Sequence, residues 1–143
     1  MGLVYADLEL VNSGDIVLAK RGYILTDEIR KITVSALVDS GAYMMCINEN
    51  IKNQLGLDVV DTMEAEMADG RLERLEVVGP VEVIFKNRST SCRAAVLPGE
   101  TEALLGSIPM EDMDVVVLPK EQRLEVNPAT PYIAKKKIKS IHR

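Results

Sequence analysis

Asp39 is the residue in this sequence best placed to do chemistry. Ala36-Leu37-Val38 runs straight into it, and Ser40-Gly41-Ala42 follows. A carboxylate where an apolar strand breaks into a glycine turn is expected to be partly buried. Burial without a partner is costly, so such a group shifts its pKa or shares a hydrogen bond. That setting suits a catalytic acid or base better than a surface charge; an ordinary structural turn is the competing reading. Other chemistries have less to work with. His142 is the single histidine and stands in a basic tail, a poor place for a Ser-His or Cys-His pair. No Cys/His set has zinc spacing, and no phosphate loop occurs. Asp112 and Asp114 flank Met113 and read as solvated charges rather than a metal site.

The elements that must position Asp39 follow from periodicity. Ile32-Thr33-Val34-Ser35 alternates β-branched and polar residues and predicts the strand that delivers the carboxylate. Tyr43-Met44-Met45-Cys46-Ile47 is a second apolar strand. Asn48 then caps a short helix, Glu49–Leu55, which Gly56 ends. Upstream, residues 3–11 alternate as a strand with Leu8 and Leu10 on one face. Asn12-Ser13-Gly14-Asp15 reads as a turn, and residues 16–19 as the returning strand of a hairpin. Leu10-Val11-Asn12-Ser13-Gly14 echoes Leu37-Val38-Asp39-Ser40-Gly41 with an amide in place of the acid. An amide cannot share a proton as a carboxylate does, so the hairpin is the preferred reading. Residues 21–31 form a loop with one helical turn. Residues 63–67 and 71–78 are strands around a turn at Ala68-Asp69-Gly70, and residues 81–85 and 92–97 are strands after Gly79-Pro80. Ser107–Met113 is a short helix, and Val115–Leu118 with Arg123–Val126 makes a last hairpin. Many short strands with frequent turns predict an all-β barrel or sandwich.

Two markers in this pattern resemble the retropepsin-like, retroviral-type aspartic proteases. One is Leu37-Val38-Asp39-Ser40-Gly41-Ala42. The other, about 65 residues on, is Ala103-Leu104-Leu105-Gly106 ahead of a short helix. Leu55-Gly56-Leu57 after the first helix is similar too. The resemblance covers residues 30–126 of a single domain spanning 1–126, with 127–143 an extended, partly mobile basic tail. It implies a closed β-barrel of the retroviral acid protease type, with one or two short helices, working as a homodimer without cofactor or metal. Each chain would supply one Asp39 to a pair sharing a proton. Ser40 would bridge the two turns, while Gly41 and Ala42 permit close approach of backbone and substrate. Leu104, Leu105 and Gly106 would brace the turn from beneath. A flap hairpin would cover the substrate, with Ala68, Asp69 and Gly70 at its tip; an ordinary surface hairpin accounts for the same residues. Tyr43 and Ser107 depart from the pattern, standing where many viral members carry an Asp and an Arg. The function implied is an aspartic endopeptidase acting on proteins or peptides. The rival is a catalytically weak dimerisation or peptide-binding module on the same fold, and a small-ligand binder is a third reading.

Composition sets the remaining bounds. The chain has 143 residues, 47% hydrophobic but only 3% aromatic, which favours a β-rich core of aliphatic side chains. The net charge of −5 is uneven: Lys135, Lys136, Lys137, Lys139 and Arg143 crowd the end, and all 22 acids lie before them. The folded part is therefore strongly acidic, which argues against a nucleic-acid partner. No apolar run is long enough to span a membrane, and residues 1–7 lack a signal-peptide pattern, so a cytoplasmic protein is expected. Cys46 and Cys92 sit in apolar strands and are expected to be free thiols.

Overall fold

A computed structural model describes residues 2–139; the single histidine, His142, lies outside the described residues. The chain is mostly β with three short α-helices. Strand β1 (Tyr5–Asn12) pairs antiparallel with β2 (Lys31–Val38) on one edge, Leu8 opposite Val34. On its other edge it pairs with β5 (Leu72–Phe85), Leu10 opposite Val83. β2 runs parallel to the two-residue β7 (Leu104–Leu105), which also bridges to β3 (Met45–Asn48). β3 is parallel to β6 (Arg88–Leu97), and β6 returns to β5, so six strands close into a ring. β4 (Val59–Glu66) pairs with β5 alone and forms an edge. β8 (Val115–Leu118) and β9 (Arg123–Val126) make the expected separate hairpin.

The strand period of two sorts side chains between core and groove. Leu8 and Leu10 of β1 are fully buried, whereas Asp7 is exposed. β3 and β6 are apolar on both faces for a reason: Met45, Ile47, Ala94 and Val96 join the main core. Their neighbours Cys46, Ala95 and Leu97 form a second apolar cluster with Leu75. Helix α2 (Glu49–Leu55) forms as its caps predict. The Asn48 side chain accepts from the Ile51 N–H at 2.9 Å, and Gly56 ends the helix at a left-handed φ of 60°. Its Ile51 and Leu55 close one end of the main core.

Three expectations are corrected. Residues 13–20 are not a returning strand but helix α1 (Ser13–Lys20). β1 already has a partner on both edges, so the chain beyond it has no strand position to fill. Asn12 is buried; its side chain caps α1 through Asp15 N–H (3.1 Å) and donates to Leu55 O (2.8 Å). That helix raises the count to three, where one or two were expected. The two strands expected at 71–78 and 81–85 are one long strand, β5 (Leu72–Phe85), with a register shift between Val78 and Val81 absorbing Gly79-Pro80. The third correction concerns the tail and Asp114, which is not simply solvated. Its carboxylate accepts from Asn127 Nδ2 (2.9 Å), Thr130 Oγ1 (2.5 Å) and Lys135 N–H (3.0 Å). The buried Arg88 also donates to Thr130 O, so residues 127–135 are fastened to the body. Lys136 reaches Asp112 at 3.3 Å.

Candidate active site

β2 carries the chain to Val38, and the next residue leaves the sheet with its backbone still held. Leu37 N–H donates to Ala103 O (2.9 Å) and Asp39 N–H to Leu105 O (3.0 Å). Within the turn, the Asp39 carboxylate accepts from Gly41 N–H at 2.9 Å and the Asp39 carbonyl from Ala42 N–H at 3.0 Å. An Asp side chain that takes a backbone N–H two residues on closes such a turn without further help. Asp39 is half-buried; Ser40 and Gly41 are exposed, with Ser40 making no hydrogen bond among the described residues.

Helix α3 (Ser107–Met113) locks this turn from below. A helix start leaves backbone N–H groups without partners, and Gly106 offers no capping side chain. The turn supplies them. Ala42 O accepts from Ser107 N–H (2.9 Å), and Tyr43 O accepts from Ile108 N–H (3.1 Å). Pro109 has no N–H to satisfy. The approach is close enough that a Cβ on Gly106 would lie 2.3 Å from Met44 O and 2.8 Å from Ala42 O. Leu105 is fully buried and Leu104 half-buried beside it. Ser107 Oγ lies 3.5 Å from Tyr43 O, so the two positions that depart from the viral pattern meet through backbone, while the Tyr43 ring is 71% exposed.

A cavity of about 570 Å³ opens beside the turn. The residues 39–44 segment forms one wall and residues 63–68 of the β4–β5 hairpin the other. Its floor is the second apolar cluster, Cys46, Leu75, Ala95 and Leu97, with Met44, Met63 and Met67 packed on it. Of the predicted substrate contacts, Ala42 and Ala68 line the cavity. Asp69 and Gly70 lie at the hairpin tip without lining it, Asp69 there paired with Arg71 Nε at 2.7 Å. Sequence reasoning missed the methionine-rich floor, although the unbroken apolar runs of β3 and β6 signalled a second buried face. The Cys46 thiol is pushed up to about 11, chiefly by burial and then by the Asp39 charge, which places the two groups near each other. Both cysteines are free. Among the described residues no group of three His, Cys, Asp or Glu side chains is arranged to hold a metal ion. Nor is any helix long and apolar enough to cross a membrane.

A closed ring of short strands, a D-S-G turn at a strand end and an L-L-G segment hydrogen-bonded beneath it together define the retropepsin-like class of aspartyl protease domain. A family model described as "gag-polyprotein putative aspartyl protease" matches residues 26–110, and the chain belongs to that family. No curated protein matches it. Among solved structures, a Legionella pneumophila protein of unknown function is similar over 80% of this chain and 91% of its own, at 13% identity and a TM-score of 0.40.

Proposed function

We propose that two copies of this chain associate with their Asp39 turns facing one another, and that the pair hydrolyses peptide bonds. Two carboxylates held about 3 Å apart do not both ionise readily, so one stays protonated. The ionised member takes a proton from a water, which attacks the scissile carbonyl carbon, while the protonated member donates to the carbonyl oxygen. Collapse of the tetrahedral species breaks the C–N bond, and the amine leaves with a proton. Ser40 bridges the two turns, and Gly41 and Ala42 let backbone and substrate approach. Leu104, Leu105 and Gly106 fix the turn, and the hairpin tip at Ala68, Asp69 and Gly70 covers the bound peptide.

The observation that carries this reading is the anchoring of Asp39. Its backbone is tied to Leu105, its carboxylate is steered by Gly41 N–H, and it opens on an apolar cavity wide enough for a side chain. Preorganisation of that kind is what acid–base catalysis requires. The site is incomplete in one copy, because the other acids lining the cavity, Glu64 and Glu66, are exposed on edge strand β4. The test is cleavage of an unstructured protein from acid to neutral pH, alongside the oligomeric state in solution. Expected are a dimer, cleavage blocked by statine-type inhibitors, and its loss in Asp39→Asn. A dimer that binds peptides yet cuts none supports the rival, a peptide-binding module.

A further inference from the structure

The charge around the cavity is one-sided. Its ionisable lining consists of Asp39, Glu64, Glu66, the Cys46 thiol and the Tyr43 phenol, with no lysine or arginine among the described residues. A further acid stands just beyond. Glu73 lies opposite Ala65 across the hairpin and so shares the inward face with Ala65 and, two residues on, Leu75. Its Oε2 is shielded from solvent with no hydrogen-bond partner. A buried acceptor left unpaired costs free energy that an incoming donor recovers. Glu64 and Glu66 share the outer face with Arg74, and Arg71 is taken up by Asp69, so among the hairpin acids Glu73 is the one on the inward face. The inward face of the hairpin therefore presents the unpaired Glu73 carboxylate beside a floor of Met63, Met67 and Leu75.

We infer that the occupant of this cavity is an extended peptide with a large apolar side chain seated on the methionine floor and a lysine or arginine beside it, paired with Glu73. Methionines adapt to varied apolar shapes, so the floor selects size more than outline. The fixed charge supplies discrimination: a like-charged peptide is repelled from a low-dielectric cleft that attracts a cationic one. Cleavage of the bound peptide rests on the endopeptidase reading; its binding does not. Glu73 is a specificity-determining residue in this scheme, not a catalytic one.

The test uses the full chain carrying Asp39→Asn, so that peptide is held and not cut. The probe is a fluorescent peptide with the sequence of residues 130–139, which sets Tyr132, Ile133 and Ile138 among four lysines. It is compared with the same peptide having glutamate at those four positions. Anisotropy should give binding about tenfold tighter for the lysine form at low salt, with the advantage shrinking as salt rises. Adding Glu73→Gln should cut the advantage by about threefold while leaving a neutral, alanine-containing version unaffected. Equal affinity for the two forms, no binding of either, or an advantage indifferent to Glu73→Gln each overturns the inference. Active protein that cuts both forms equally well also overturns it but leaves the endopeptidase reading standing. If the lysine preference holds and the active protein cuts neither, that reading fails and the inference survives.

Discussion

Gly106→Ala isolates the contact between the Asp39 turn and helix α3. Gly106 has a φ of −87°, which any residue adopts, so the substitution brings no backbone strain of its own. Its effect is steric. The new methyl would lie 2.3 Å from Met44 O and 2.8 Å from Ala42 O, and both obstacles are backbone that no rotamer change can move. Overpacking of this sort costs about 1–3 kcal/mol. If the turn lifts to make room, it also loses the hydrogen bonds from Ser107 and Ile108 N–H, each contributing about 1 kcal/mol. The expected loss is therefore roughly 3 kcal/mol, read as a lower urea midpoint at unchanged slope. Cleavage should fall by far more than the folded fraction does, because Asp39 shifts with the turn. Gly22→Ala, remote from the candidate site, is the control: nothing lies within 4 Å of its Cβ, and a left-handed φ of 79° costs only about 1–2 kcal/mol. A Gly106→Ala protein less than about 1 kcal/mol destabilised and fully active would refute the steric argument.

Three other outcomes are expected. Asn12→Ala removes the α1 cap and the bond to Leu55 O together, and should cost about 2–3 kcal/mol in urea denaturation. Asp114 is held at about 2, below its ordinary 3.8, by the Thr130 hydroxyl first and Asn127 next. A carboxyl depressed on folding stabilises above its unfolded pKa and loses that contribution as pH falls through its folded value. Asp114→Asn should therefore lower Tm near neutral pH and flatten the decline between about pH 4 and pH 2; an unchanged Tm profile contradicts this. Finally, Asp39→Asn removes a charge that helps hold the Cys46 thiol up, so alkylation of Cys46 should quicken. Cys92, raised to about 11 by burial, Asp112 and Glu82, is the internal reference; a constant ratio of the two rates would speak against the Asp39–Cys46 coupling.

What was legible in the sequence was what local rules determine. The strand ahead of Asp39 alternates, α2 carries its own cap and stop, and the two markers lie far enough apart for β2 and β7 to pair. The closeness of the Asp39 turn to Leu105 and Gly106 was legible because it rests on backbone geometry that glycine and small apolar residues signal. Helix α1 was hidden by β-branched Ile16 and Val17 and by turn-forming residues before them. Asn12 followed by Asp15 three residues later was the overlooked start signal. The decision between strand and helix belonged to β5, whose claim on the second edge of β1 no local window contains. Asp114 was misjudged for a similar reason, its partners lying 13 to 21 residues downstream in a segment taken for tail. The cavity floor draws on β3, β4, β5 and β6, and only their assembly makes it one surface.

Closing six strands into a ring has a consequence for association. Each of the six ring strands has a neighbouring strand on both sides, whereas β4 has one on its inner side alone among the described residues, and β4 is the strand that walls the cavity. A foreign chain seeking to extend the sheet is thereby funnelled to the place where an extended ligand would lie. Asp61, Glu64 and Glu66 deter careless visitors there by charge, as guarded sheet margins commonly do. Accidental aggregation and selective capture would thus compete for one doorway, and whatever fills the cleft would also protect the molecule from its own kind.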